Sequence, residues 1–230
     1  MFQSTNINLL ERPIIKYSLK PRSIKQKSKI YLATKRWFDI FLSLFVILFI
    51  LPWLLPILTI LIKLDSKGPV FFAQRRIGLF GKPFNCLKFR SMVVNDDADI
   101  EQADINDPRI TRLGTFLRVS CIDELPQFIN ILIGDMSVVG PRPHMIKDCD
   151  DFSKIVLHYS LRNSMRPGIT GIAQMKGYCG KTKNFFDVCH RYQWDIFYLR
   201  NACFLLDLKI IKQTVINIMN SSMRRIRKSQ

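Results

Sequence analysis

Between Ile40 and Ile62 the chain carries no charged side chain, and Leu, Ile, Phe and Val fill most of the positions. At the 1.5 Å rise of an α-helix this run extends about 34 Å, against roughly 30 Å for the hydrocarbon core of a bilayer. Pro52 and Pro56 interrupt the pattern. Each removes a backbone donor and crowds the turn before it, so a sharp bend is expected at Pro52. Each arm is then about twelve residues, or roughly 18 Å, enough to enter one leaflet and return. Lys29, Lys35 and Arg36 precede the run, and Lys63, Lys67, Arg75 and Arg76 follow it. The preference for positive charge on the cytoplasmic side places both ends there. A re-entrant hairpin satisfies both flanks and a kinked transmembrane helix satisfies one. The prolines alone leave the two near parity, and the symmetric charge favours the hairpin. Asp39, beside Lys35, can pair with Arg36 at helical i,i+3 spacing, or join an interfacial snorkelling cluster.

Beyond this segment the pattern shortens. Gly68-Pro69 breaks the chain, Val70 to Phe72 reads as a strand, Gly78 to Pro83 as a turn and Phe84 to Phe89 as a second strand, which predicts a small hairpin. Alternation directs Lys88 and Arg90 to one face, where two cations suit a phosphate or simply a solvated strand face. Asn95 to Asp107 is acidic and poor in apolar residues, an exposed loop without the oxygen spacing and turn glycine of a hard-cation site. Leu113 to Val119 predicts a short helix carrying Arg118. Pro126 marks the first turn of another, with Asp123 at or near its N-cap. Pro167 to Gln174 reads as a turn into a strand, and Phe204 to Met219 as a core-packing or interfacial helix. The expected class is α+β: a membrane-associated monotopic protein, mostly helical, with a small β-hairpin. Its expected divisions are a basic tail over 1–30, a re-entrant membrane helix over 31–64, a cytosolic catalytic domain over 65–220 and a basic tail over 221–230.

Charge narrows the partners. The chain has 35 basic and 18 acidic side chains, a net charge of +17, which favours a polyanion. Nucleic acid and the anionic cytoplasmic face of a membrane both qualify, and the apolar run decides for the membrane, since no zinc-finger spacing, Walker loop or RNA-binding signature supports nucleic acid. The six cysteines form no CxxC pair and read as reduced thiols. The apolar run begins too late, and lacks the small-residue cleavage site, to be a signal peptide.

The densest chemistry is the pair Asp123-Glu124. As an isolated Asp-Glu-Leu-Pro it would read as a helix cap. Its surroundings point elsewhere: a basic helix precedes it and Gly140-Pro141-Arg142-Pro143 follows it. An acid that attacks a diphosphate needs cations nearby to offset charge repulsion, and Arg142, stiffened between prolines, suits a bidentate phosphate contact. His144, His158 and His190 lack metal-ligand spacing and read as core or surface residues.

These residues fall within an ordered series of motifs: KRWFD at 35–39, GPVFFAQRRIG at 68–78, KFRSM at 88–92, DPRITRLGTFLR at 107–118, DELPQ at 123–127, GDMSVVGPRP at 134–143, RPGITGIAQ at 166–174, then YLRN and DLKI. From about Lys35 to Val215 the chain resembles the bacterial sugar transferases, the monotopic polyprenyl-phosphate phosphoglycosyl transferases that start surface polysaccharide or glycan assembly. It is similar in particular to the catalytic part of longer members, whose additional N-terminal membrane helices are not expected here.

The resemblance implies that Asp123 attacks the β-phosphorus of a UDP-sugar and releases UMP, after which a polyprenyl (undecaprenyl) phosphate displaces the sugar phosphate from Asp123. It implies magnesium (Mg2+) held partly by Asp123, phosphate contacts from Arg118, Arg142, Lys88 and Arg90, and a supporting or proton-managing role for Glu124. Pro52 matches the family's helix-breaking proline, with Lys35, Arg36 and Asp39 at the membrane boundary. Leu51 stands where some members have Ser, and Cys121 is a lesser departure. Implied partners are a UDP-sugar, a polyprenyl phosphate, the bacterial inner (cytoplasmic) membrane with the catalytic domain on its cytoplasmic face, and optionally a second copy in a homodimer; nucleic acid is not among them. The reading from another class is a catalytically idle membrane scaffold of a polysaccharide assembly complex. Tyr178 to Asn201 is the candidate stretch for sugar contacts.

Overall fold

The computed structural model describes residues 27–95, 101–104, 107–182 and 184–226. The expected basic tails lie outside these residues over 1–26 and 227–230, as do Asp96, Asp97 and Asp99 of the acidic loop. The chain is mostly helical with one small antiparallel sheet.

The apolar run forms α1 (Lys29–Phe45) and α2 (Leu51–Asp65), joined by a π turn over Val46–Ile50. The break expected at Pro52 takes the form of this π turn, within a helical segment, Lys29–Asp65, that is 37 residues long and by length and composition apolar enough to cross a membrane. Pro52 cannot donate to the carbonyl four residues back, and its ring crowds that carbonyl. The π turn absorbs both problems, because the Leu51 N–H reaches back five residues to Val46 O and opens the turn ahead of the proline.

One stripe of this helix is buried against the rest of the protein. Lys35 Nζ donates to Asp207 Oδ2 at 3.0 Å, Arg36 donates to Ile131 O at 2.6 Å and Leu132 O at 2.8 Å, and Asp39 Oδ1 accepts from Val138 N at 3.0 Å. The Arg36–Asp39 pair expected from their spacing does not form, because each finds a partner across the domain. Arg36 closes the end of a short helix, where unsatisfied carbonyls carry partial negative charge. On the other arm Leu58 and Ile62 pack with Phe89 and Leu117, and each such buried side chain contributes about 1.5–3 kcal/mol. The remaining faces expose Trp37, Phe41, Phe49, Trp53, Ile57 and Leu64.

The predicted hairpin is present as β1 (Phe71–Ile77) and β2 (Pro83–Phe89), antiparallel, with Phe72 opposite Lys88, Gln74 opposite Cys86 and Arg76 opposite Phe84. Arg90, just past β2, does not share the role of Lys88. Its guanidinium donates to Ile62 O, Ser66 O and Lys67 O at 3.2, 2.6 and 2.7 Å, so it closes the C-terminal end of α2, where the phosphate reading expected an open cation.

The helix expected over Leu113 to Val119 is α3 (Arg112–Val119), capped by Thr111 Oγ1, which accepts from Gly114 N at 2.9 Å. A Cβ on Gly114 would lie 1.9 Å from Ser91 O, so only glycine lets this helix meet the end of the hairpin. There follow α4 (Gln127–Ile133), β3 (Ser137–Val139), α5 (Ile146–Ile155), β4 (Gly168–Thr170), α6 (Ile172–Met175), α7 (Phe185–Asn201) and α8 (Phe204–Ile226). Strands β3 and β4 pair in parallel, Ser137 with Gly168 and Val139 with Thr170. The last helix runs past Met219, where the sequence pattern ended it. Two larger apolar clusters fill the interior, one around Ile131, Val139, Tyr198 and Ile210, the other around Phe152, Tyr159, Tyr192 and Leu199.

Candidate active site

Asp123 is not the N-cap of α4. It lies in a 3-10 turn, Ile122–Glu124, and Pro126 stands in the cap position of α4 without a side-chain bond. The turn is entered through Cys121, whose φ of 56° is left-handed. For a residue with a Cβ that conformation costs roughly 1–2 kcal/mol. It reverses the chain between α3 and α4 and sets Asp123 in the wall of a cleft of about 250 Å³.

The cations come from three directions. Lys88 arrives from β2, whose register against α4 is set by Asn130: its Oδ1 accepts from Leu87 N at 2.9 Å and its Nδ2 donates to Asn85 O at 2.8 Å. Arg118 comes from the last turn of α3 and lines the same cleft. Arg142 stands on the Pro141-to-His144 loop, where four successive carbonyls are all engaged. Pro141 O accepts from Gly168 N (3.0 Å), Arg142 O from Arg162 Nη2 (2.7 Å), Pro143 O from Arg76 Nη1 (2.7 Å) and His144 O from Ile77 N (2.9 Å). The two prolines have no N–H to satisfy, which lowers the backbone cost of burying the loop. A Cβ on Gly140 would sit 2.4 Å from Arg166 O, which explains the glycine before the loop.

Glu124 organises these charges. Its Oε1 accepts from Lys88 Nζ at 2.7 Å and from Arg142 Nη2 at 2.8 Å. Burial alone would raise the Glu124 carboxyl, but the charges and hydrogen bonds of Arg142 and Lys88 hold it well below the usual carboxylate range. The same pair raises the Arg142 guanidinium above its ordinary value. Asp123 moves the other way: burial pushes its carboxyl up against the pull of Lys88, and the neighbouring Glu124 charge adds to the rise. Adjacent carboxyls driven in opposite directions mark different tasks. Glu124 is an anion tied to two cations, and among the described residues no cation is bonded to Asp123.

Of the residues expected at the site, Asp123, Glu124, Lys88, Arg118 and Arg142 converge here. Arg90 reaches the cleft wall, but its hydrogen bonds go to the end of α2. Lys35, Arg36, Asp39 and Pro52 belong to the apolar helix and its docking. Sequence reading missed Gln74, Arg76, Asn130, His144 and Arg191. The alternation of Phe72, Gln74 and Arg76 on the face that carries Lys88 was the available signal, obscured because charged residues are uncommon in strands.

A family model described as "Bacterial sugar transferase" matches residues 30–221. The chain belongs to that family. It is 48% identical over 160 residues to a UDP-glucose:undecaprenyl-phosphate glucose-1-phosphate transferase of Xanthomonas campestris pv. campestris, covering 69% of this chain and 33% of that protein. It is 44% identical over 191 residues to the exopolysaccharide production protein PSS of Rhizobium leguminosarum bv. phaseoli, covering 81% of this chain and 95% of that one. A UDP-N-acetylgalactosamine-undecaprenyl-phosphate N-acetylgalactosaminephosphotransferase of Aeromonas hydrophila is 39% identical over 194 residues, 84% of this sugar transferase and 45% of the relative. The sugar transferase spans about a third of the first curated relatives it matches.

Proposed function

We propose that this sugar transferase moves a sugar 1-phosphate from a UDP-sugar to a polyprenyl phosphate, undecaprenyl phosphate in a bacterium, releasing UMP and starting surface polysaccharide assembly. The observation that carries the reading is Asp123, bonded to no cation among the described residues and set beside two that are tied to Glu124. An Asp123 oxygen attacks the β-phosphorus of the donor, and the bond from that phosphorus to the bridging oxygen breaks, so that UMP leaves with the electron pair. A phosphate oxygen of the lipid then attacks the same phosphorus, the bond to Asp123 breaks, and the carboxylate returns. Lys88, Arg118 and Arg142 offset the charge of the diphosphate as the carboxylate approaches it.

Magnesium fits this donor set in one specific way. Among the described residues no cluster of three or more His, Cys, Asp or Glu side chains forms a protein cage. A single carboxylate, Asp123, together with substrate phosphates matches the habit of Mg2+, which keeps most of its shell as water and phosphate. Bound there, the ion would neutralise phosphate charge.

The exposed apolar faces of α1 and α2 are read as a membrane segment that enters and leaves on the cytoplasmic side. Support comes from the docking of both arms on one body, α1 through Lys35, Arg36 and Asp39 and α2 through Leu58 and Ile62.

The test is UMP release by detergent-purified protein given undecaprenyl phosphate, magnesium and a panel of UDP-sugars that begins with UDP-glucose and UDP-N-acetylgalactosamine, the sugars in the relatives' names. Release with one donor, abolished in Asp123→Asn, is the expected result. Silence with every donor from a folded protein would return the scaffold reading.

A further inference from the structure

The cleft that holds Asp123 is also lined by residues that the proposed chemistry leaves unused, among them Arg76, His144 and Arg191. Eight basic and three acidic residues among those described line it. Lys88 and Arg142 share Glu124, and Arg118 approaches Asp123. Arg191, from α7, has no such counter-charge. It is 6% exposed; one guanidinium nitrogen donates to Gly180 O at 2.7 Å, and its Nε has no partner. Asp195, one turn further along α7, is taken by Arg162 at 2.8 Å. Among the described residues, no carboxylate lies within ion-pair distance of Arg191. Among the described residues Arg76 likewise has no carboxylate within ion-pair distance, and it donates to Gln74 Oε1 and Pro143 O.

A second orphan lies in the same wall. His144 is 5% exposed, its Nδ1 sits 2.6 Å from the Tyr159 hydroxyl, and its Nε2 has no partner. Burial and the surrounding guanidiniums of Arg162, Arg191, Arg76 and Arg142 hold this imidazole neutral. The Tyr159 hydroxyl is kept protonated by burial, so it can donate to Nδ1 and leave the His144 proton on Nε2. Asp148 also lines the cleft and feels the charges of Arg76 and Arg191, but among the described residues it forms an ion pair with neither. Leaving a buried guanidinium unpaired is costly, and an anionic ligand removes that cost.

We infer that Arg191, with Arg76 and the Nε2 side of His144, forms a second anion subsite that holds the α-phosphate of the nucleotide, the group that becomes the terminal phosphate of UMP. The inference rests on the function proposed above. The α-phosphate gains charge as its bond to the β-phosphorus breaks, so a guanidinium there favours departure of UMP as well as donor binding. Arg191 is thus a substrate-binding residue at the leaving-group end, and Asp123 acts at the other.

The experiment is calorimetric titration of the full, detergent-solubilised chain with UMP and, separately, with uridine, in wild type, Arg191→Gln and Arg191→Lys, beside the transfer assay. UMP affinity is expected to fall at least about tenfold in Arg191→Gln, the scale of a lost charge-assisted contact, with uridine unchanged and partial recovery in Arg191→Lys. An equal loss for UMP and uridine, or a UMP affinity within twofold of wild type, overturns the inference. A wild type that transfers sugar phosphate yet binds UMP no better than uridine overturns it while sparing the proposed function. A wild type that neither binds UMP nor releases it from any donor overturns both.

Discussion

Glu124 Oε1 holds Lys88 Nζ at 2.7 Å and Arg142 Nη2 at 2.8 Å, so one carboxylate oxygen joins β2 to the loop after β3 beside Asp123. Without that charge, two cations face each other with nothing between them. Glu124→Gln keeps the side-chain shape and one acceptor but removes the charge. It is expected to lower kcat/KM for UMP release by about 10–100-fold, the range for disturbed electrostatic preorganisation, while the protein stays folded. Steady-state kinetics beside circular dichroism check this; activity within twofold of wild type would mean that the cations need no fixed anion.

Asp123, pushed up to about 6 by burial, must lose its proton to attack phosphorus. In the metal-free protein its proton is therefore lost at a higher pH than from an ordinary aspartate, and bound Mg2+ would lower that value again. Titration of the Asp123 carboxyl in the metal-free protein checks this; a value near 4 would contradict the burial.

The same shift has a stability consequence. A carboxyl raised in the folded state favours folding while protonated, and that contribution is lost as the pH rises through the folded value. Asp123→Asn is expected to be more stable than wild type at pH 7.5 by about 1–2 kcal/mol, with the gap closing as the pH falls from about 6 to about 4. Inactivity together with higher stability marks a residue kept for chemistry. Thermal unfolding at several pH values measures it, and a variant less stable than wild type at pH 7.5 would oppose it.

Arg90 gives the opposite signature. Arg90→Ala strips donors from Ile62 O, Ser66 O and Lys67 O, which should destabilise the protein by about 2–4 kcal/mol through buried carbonyls left unpaired. Donor KM in the surviving folded fraction should stay near wild type. A large rise in KM with unchanged thermal stability would restore Arg90 to phosphate binding.

Cys121 tests the strained entrance to the acidic turn. At a φ of 56°, a β-branched side chain is far worse than glycine or asparagine. Cys121→Val should lower stability by roughly 1–3 kcal/mol and displace Asp123, whereas Cys121→Gly should keep most of the activity. Paired unfolding and UMP-release measurements decide it; an unperturbed Cys121→Val would show that the turn tolerates the side chain.

Much of the site could be read along the chain. The hairpin showed through apolar runs set between glycine and proline turns, and α3 through its apolar spacing. Asp123 and Glu124 stood out because an acidic pair between basic segments is hard to explain as a cap alone. Side-chain partners across the fold were not legible. Alternation placed Lys88 and Arg90 on one face, but not the fact that the end of α2 waits above Arg90 while Glu124 waits above Lys88. Spacing allowed Arg36 to pair with Asp39, and local spacing loses when a helix end and a backbone amide from elsewhere offer better-desolvated partners.

The sequence by itself determined the apolar helix, the hairpin, the basic character and the family, because each rests on periodicity, composition or ordered motifs that are local properties of the chain. Only the tertiary structure decided that Pro52 is absorbed in a π turn, that Glu124 ties two cations together while Asp123 is bonded to none among the described residues, and that Arg191 lines the cleft with its Nε unpaired. These depend on burial and on contacts between distant segments, and burial sets both the cost of a charge and the value of its partner.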